Sequence, residues 1–122
     1  MRKALMLLSA VVLTAIFTGC SSVPKNPNLS GKWSYQYGKE LERTGSFDLM
    51  QEGSELKGTS NDAEGQYDVT GTILGSVLSL EGQCPKTKKK YIVNAKMKNE
   101  DEFEGTYTTS VGAAGKITGQ RQ

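Results

Sequence analysis

Tyr67-Asp68-Val69-Thr70-Gly71-Thr72-Ile73 alternates without a break: Tyr67, Val69, Gly71 and Ile73 fall on one parity, and Asp68, Thr70 and Thr72 on the other. Successive side chains of a strand point to opposite faces, so this is a strand with one face buried and one in water. Working outward, Gly75-Ser76 makes a tight turn into Val77-Leu78-Ser79-Leu80-Glu81, while Asn61 to Gly65 reads as a loop preceded by Leu56-Lys57-Gly58-Thr59. The rest of the chain repeats the pattern. Trp33, Tyr35 and Tyr37 alternate with polar residues, and Phe47 and Leu49 flank Asp48 before a turn at Gln51-Glu52-Gly53-Ser54. Tyr91, Val93, Ala95 and Met97 alternate with Ile92, Asn94 and Lys96; Phe103, Gly105 and Tyr107 follow, and Gly112-Ala113-Ala114-Gly115 leads to Ile117-Thr118-Gly119.

From Ser30 onward no stretch has a helical period of useful length. The expected fold is therefore all-β: eight short strands in an antiparallel up-and-down meander. Such a sheet exposes two edges unless its first and last strands pair, which closes it into a barrel. All eight aromatic residues after Phe17 lie in these strands on the parity assigned to the interior. A weak repeat, apolar-x-Gly, recurs at Leu56–Gly58, Val69–Gly71, Leu80–Gly82, Phe103–Gly105 and Ile117–Gly119, which places each glycine on the inward parity too. Inward glycine lets a strand bend or a ring cross the interior, and Trp33 is expected opposite one.

The N-terminal residues carry a different message. Arg2 and Lys3 precede Ala4 to Phe17, an apolar run interrupted only by Ser9 and Thr14. Its length suits a signal-peptide core and falls short of the roughly 20 residues a spanning helix needs. Thr18-Gly19-Cys20-Ser21-Ser22 closes it, with Phe17 before. This resembles the lipobox of bacterial lipoproteins, in which the Cys thiol receives a diacylglycerol and the chain is cut before it. The resemblance implies a signal peptide over 1–19, lipid attachment at Cys20, a lipidated tether over 20–28 and a β domain over 29–122. It implies a place in the cell envelope: the periplasmic side of the outer membrane in a Gram-negative cell, or the outer face of the plasma membrane in a Gram-positive one. An ordinary secretory signal with a chance Cys, or a short membrane anchor, accounts for some of these features. Nine residues from Cys20 to Asn28 reach about 30 Å when extended, so the domain is expected near the lipid headgroups.

The chain carries fifteen Lys and Arg against thirteen Asp and Glu. Arg2 and Lys3 leave with the signal, so the remainder balances and nothing global suggests nucleic-acid binding. There is no His, the commonest general base and metal ligand, and Cys84 has no partner to activate it. Cys84 is read as structural or incidental. Neither a catalytic set nor a metal site is expected, and no cofactor; Asn61, Asp62 and Glu64, like Glu100, Asp101 and Glu102, read as solvated turns. The run Lys86, Lys88, Lys89, Lys90 reads either as a basic lip at a barrel mouth, meeting phosphate headgroups or an anionic ligand, or as a loop blunting a strand edge.

Leu29-Ser30-Gly31-Lys32-Trp33 resembles the first strand of lipocalin-like and avidin-like barrels, where the Trp of Gly-x-Trp lies across one end. Leu56-Lys57-Gly58-Thr59 and Phe103 to Thr109 look like the Gly-Thr strands of the avidin family, and similar phrases recur in small bacterial lipoproteins. Tyr35 and Tyr37 stand where the avidin biotin site needs an Asn or Asp group, and there is no second Trp, so biotin binding is not implied. The usual lipocalin disulfide is also missing.

Two functions follow as expectations. The first is a membrane-anchored, non-enzymatic module for a small apolar or amphipathic ligand, with Trp33, Tyr35, Tyr37, Tyr67, Tyr91 and Tyr107 lining the pocket. The second is an envelope protein that binds or inhibits another protein, its barrel filled by its own side chains.

Overall fold

The computed structural model describes residues 27–122. Residues 1–26, including the signal-like segment and Cys20, lie outside the described residues. Eight strands follow in order: β1 Gly31–Gly38, β2 Arg43–Glu52, β3 Glu55–Asp62, β4 Gly65–Leu74, β5 Val77–Gln83, β6 Lys90–Asn99, β7 Glu102–Thr109 and β8 Ala114–Arg121. Each pairs antiparallel with the next, and β1 pairs with β8, so the sheet closes into an up-and-down barrel.

The expected strands are all present, and several run longer. β2 begins at Arg43 rather than Phe47, and β8 at Ala114. β3 continues through Asn61 and Asp62, which the sequence assigned to a loop; only Ala63 and Glu64 separate it from β4. The cause is the same in each case. Polar residues extend a strand by pairing through the backbone, as Asn61 does with Gln66 and Asp62 with Gly65, without adding to the apolar alternation that reveals a strand.

The inward parity holds around the barrel. Trp33, Phe47, Leu56, Val69, Ile73, Leu78, Leu80, Val93 and Phe103 are buried, while outward Ile92 is 47 % exposed. Rings cross the interior above glycines, as expected, but Trp33 is not among them. Its cross-strand neighbours are Phe47 and Arg121. The rings opposite glycines are those of Tyr35 over Gly45, Tyr91 over Gly82 and Phe103 over Gly119, where an added methyl carbon would lie within 2.4 Å of the ring. Trp33 goes elsewhere because the end of the barrel, not its wall, has room for the indole.

That end is sealed. Leu29 and Trp33 have almost no exposed surface, and the indole N–H donates to the Leu29 carbonyl at 3.0 Å. Arg121 lies over the Trp33 ring, 4.7 Å from its centroid, and donates to the carbonyls of Asn28, Ser30 and Glu100 and to the Asp101 carboxylate. The β6–β7 turn read as merely solvated thus also latches the last strand to the first. Two-residue turns at Gly53-Ser54 and Gly75-Ser76 sit at this end, with both glycines at φ +63°, the left-handed backbone such turns require. The longer connections β1–β2, β5–β6 and β7–β8 all lie at the other end.

Candidate functional site

A cavity of about 540 Å³ occupies that other end. Its floor is apolar, formed by Phe47, Val93 and Ile117, and its walls are tyrosine. Tyr35 and Tyr37 project from β1, Tyr67 from β4, Tyr91 from β6 and Tyr107 from β7, all on the inward parity. The rings form edge-on pairs: Tyr37 with Tyr107 at 5.5 Å between centroids and Tyr67 with Tyr91 at 5.1 Å. Because β1 and β7 flank β8 while β4 and β6 flank β5, the two pairs stand on opposite arcs of the barrel.

The structure therefore brings five of the six aromatic residues named from sequence to one cavity. Trp33 does not join them: it plugs the sealed end below. The barrel is filled in its lower half and open in its upper half, where the sequence left a filled core and a cavity as alternatives.

Polar groups are placed at two depths. Deeper, the hydroxyls of Ser60 and Tyr91 lie 2.7 Å apart, and Ser60 has no exposed surface. Nearer the mouth, Tyr37 donates to a carboxylate oxygen of Asp62 at 3.2 Å, and the other oxygen accepts the Glu64 backbone N–H at 2.7 Å. Sequence reasoning did not name Ser60 and read Asp62 as part of a solvated turn. The signal was present: Leu56, Gly58, Ser60 and Asp62 share the inward parity of β3, so these two polar side chains must face the interior. Burial, with Asp62 adding to it, pushes Tyr37 up to about 12. Burial raises Tyr35 and Tyr91 further and Tyr67 as well, with Asp62 contributing to each. The phenols are therefore neutral walls that both donate and accept hydrogen bonds.

The rim carries charge. Glu64 accepts from Arg43 at 3.0 Å and from the Lys89 ammonium, linking β2 to the β5–β6 loop. Lys89, above all, holds the Glu64 carboxyl below its ordinary range, and Glu64 raises Lys89 in return. Of the four lysines named from sequence, Lys89 and Lys90 line the cavity, whereas Lys86 and Lys88 stand exposed on the loop beside it. This loop lies at the opposite end of the barrel from residues 27–30. Cys84, buried at its start, anchors it through backbone bonds to Lys88 and Lys89, both 2.8 Å. Its thiol is lowered by hydrogen bonds, first from the Thr87 hydroxyl and then from the Thr87 and Lys86 N–H groups.

Fold and cavity together define the chain as a closed eight-stranded β-barrel, sealed at one end and open at the other. No known protein family matches it, and neither does any curated protein. Among solved structures it is similar to "a redesigned beta barrel, b11L5F_LGL", with a TM-score of 0.61 at 18 % identity, over 77 % of this chain and 91 % of that one. The redesigned barrel mFAP1, solved bound to DFHBI, gives 0.54 at 20 % identity, over 76 % and 94 % of the two chains. A fluorescence-activating β-barrel designed de novo gives 0.58 at 14 % identity, over 78 % and 94 %. At these identities the likeness is one of fold.

Proposed function

We propose that this chain is a bacterial lipoprotein, anchored through Cys20, whose barrel is a non-enzymatic binding module for a small apolar or amphipathic molecule. The observation that carries the reading is the tyrosine-lined cavity of about 540 Å³ above a sealed floor. Pockets for small molecules are typically about 300–1,000 Å³, mostly apolar, with a few placed polar groups; here Ser60, Tyr91 and Asp62 are those groups. The designed barrel mFAP1 is bound to DFHBI, which agrees with a barrel of this topology holding a compound of modest size. A protein-binding role with a filled core suits the sealed half of the barrel only.

Among the described residues, 27–122, the core cluster is continuous and β1 pairs with β8 to close the barrel. Native mass spectrometry of this segment, purified from the envelope of the producing cell, is expected to show a bound species lost on denaturation. A segment that stays at its bare mass, and that no small-molecule collection stabilises against heat, would end the ligand reading. Cys20→Ala is expected to move the full chain from the detergent phase to the aqueous phase; unchanged partitioning would end the lipoprotein reading.

A further inference from the structure

The carboxylate of Asp62 stands inside the cavity mouth with no cation on it. Among the described residues its hydrogen-bond partners are the Tyr37 hydroxyl and the Glu64 N–H. Arg43 and Lys89 both form their ion pairs with Glu64, and Lys89 feels Asp62 only as the weaker of its two carboxylate neighbours. Lys39 and Lys90 are exposed at the lip, where salt screens a charge beyond about 8 Å. Asp62 thus presents to a cavity with aromatic upper walls a carboxylate that forms no ion pair among the described residues, although Lys89 feels its charge. Tyr35, Tyr37, Tyr67 and Tyr91 all register that charge.

Two independent features favour the same ligand charge. The face of an aromatic ring is negative and attracts a cation, most strongly where water is excluded. A carboxylate left without a counter-ion in a half-buried site is stabilised by a positive group that enters. An anionic head at that depth would meet Asp62, and the two lining lysines outside any ion pair, Lys39 and Lys90, are exposed at the lip. A neutral head would leave the carboxylate as it is.

We propose that the cavity recognises an organic cation, its ammonium group seated against Asp62 and its apolar body held between the Tyr37–Tyr107 and Tyr67–Tyr91 pairs. This rests on the cavity reading above and names the chemical class of its ligand. Amines and quaternary ammonium compounds match it in charge, and about 540 Å³ leaves room for a body larger than one ring.

The test is calorimetric titration of the full chain in lipid nanodiscs, with empty nanodiscs subtracted. Three probes of one shape are used: phenyltrimethylammonium, uncharged tert-butylbenzene and anionic benzenesulfonate. The ammonium is expected to bind at least roughly tenfold tighter than either of the others. Asp62→Asn keeps an acceptor for the Glu64 N–H and is expected to reduce that preference severalfold, to what the rings alone supply. Equal or tighter binding of tert-butylbenzene or benzenesulfonate overturns the cation inference and leaves the cavity reading standing. Binding of none of the three overturns both. A preference that survives undiminished in Asp62→Asn also overturns it, because the ammonium then does not sit against Asp62. The comparison on the unaltered chain decides the question even if the variant does not fold.

Discussion

Ser60 of β3 and Tyr91 of β6 meet hydroxyl to hydroxyl, 2.7 Å apart, inside the barrel. Removing either oxygen leaves its partner short of a bond in a site with little water, at a cost of about 1–3 kcal/mol. Ser60→Ala and Tyr91→Phe are each expected to lower stability by about that much. The double variant removes both ends of the bond and is expected to cost clearly less than the two added together. Urea denaturation of the four proteins measures the coupling; strict additivity would show that the hydroxyls do not depend on one another.

The same burial makes a prediction about alkali. Tyr35, Tyr37, Tyr67 and Tyr91 hold their protons longer than a free phenol, chiefly because the interior disfavours phenolate. Above the ordinary phenol value of about 10 the folded barrel therefore binds more protons than the unfolded chain. Their stabilising effect is intact below about pH 10 and is lost as the pH climbs through the folded-state values, the Tyr37 value being about 12. Phenolate absorbance and circular dichroism followed together should show a set of tyrosines that ionises only as the barrel unfolds. Titration of these four near 10 in an intact barrel would put their hydroxyls in water.

Gly82 and Gly58 separate two reasons for a glycine on the inner face. A methyl group at Gly82 would lie 2.3 Å from the Tyr91 ring, whereas one at Gly58 would lie 1.9 Å from the backbone oxygen of Asp48. Gly82→Ala is expected to cost about 1–3 kcal/mol, and trimming the ring in Tyr91→Ala should relieve the clash. Gly58→Ala should cost more, with no second-site relief, because the obstacle is backbone. Chemical denaturation with and without Tyr91→Ala distinguishes the two; equal relief at both positions would refute the assignment.

Trp33 shows what sequence reading captures and what it leaves out. Alternation alone placed it inside, because that depends on local parity. Its place across one end came from the resemblance of Gly31-Lys32-Trp33 to the first strand of lipocalin-like and avidin-like barrels. It faces Phe47 rather than the expected glycine. Its partners were not legible. Arg121 lies at the far end of the chain and reaches the indole only because β8 closes on β1. Asp62 and Ser60 were not read as interior for another reason: polar residues on an inward parity look like a loop until the strand is seen to continue. Trp33→Ala is expected to cost about 3–5 kcal/mol as a large-to-small change in a packed site. An unchanged denaturant midpoint would mean that the sealed end is not sealed in solution.

The position of the lysine loop relative to residues 27–30 bears on which way the barrel faces. Residues 27–30 enter at the sealed end, bonded to Gln51 and Arg121, while Lys86, Lys88 and Lys90 belong to the mouth. The sealed end also carries exposed Glu52, Glu55, Glu100 and Asp101, which repel anionic headgroups. With the lipid anchor proposed at Cys20, we expect the membrane on the side of residues 27–30 and the mouth toward water, which would hold the lysines away from the headgroups. Strands of seven to ten residues, tilted as in other barrels, separate the two ends by roughly 20–25 Å. Fluorophores on Ser54→Cys and on Lys86→Cys, each in a Cys84→Ser background, report the two ends by energy transfer to a dye in the bilayer. The label at position 54 should transfer strongly and that at 86 weakly. The reverse order would turn the barrel over, bring the lysines to the headgroups and make the bilayer the source of the ligand.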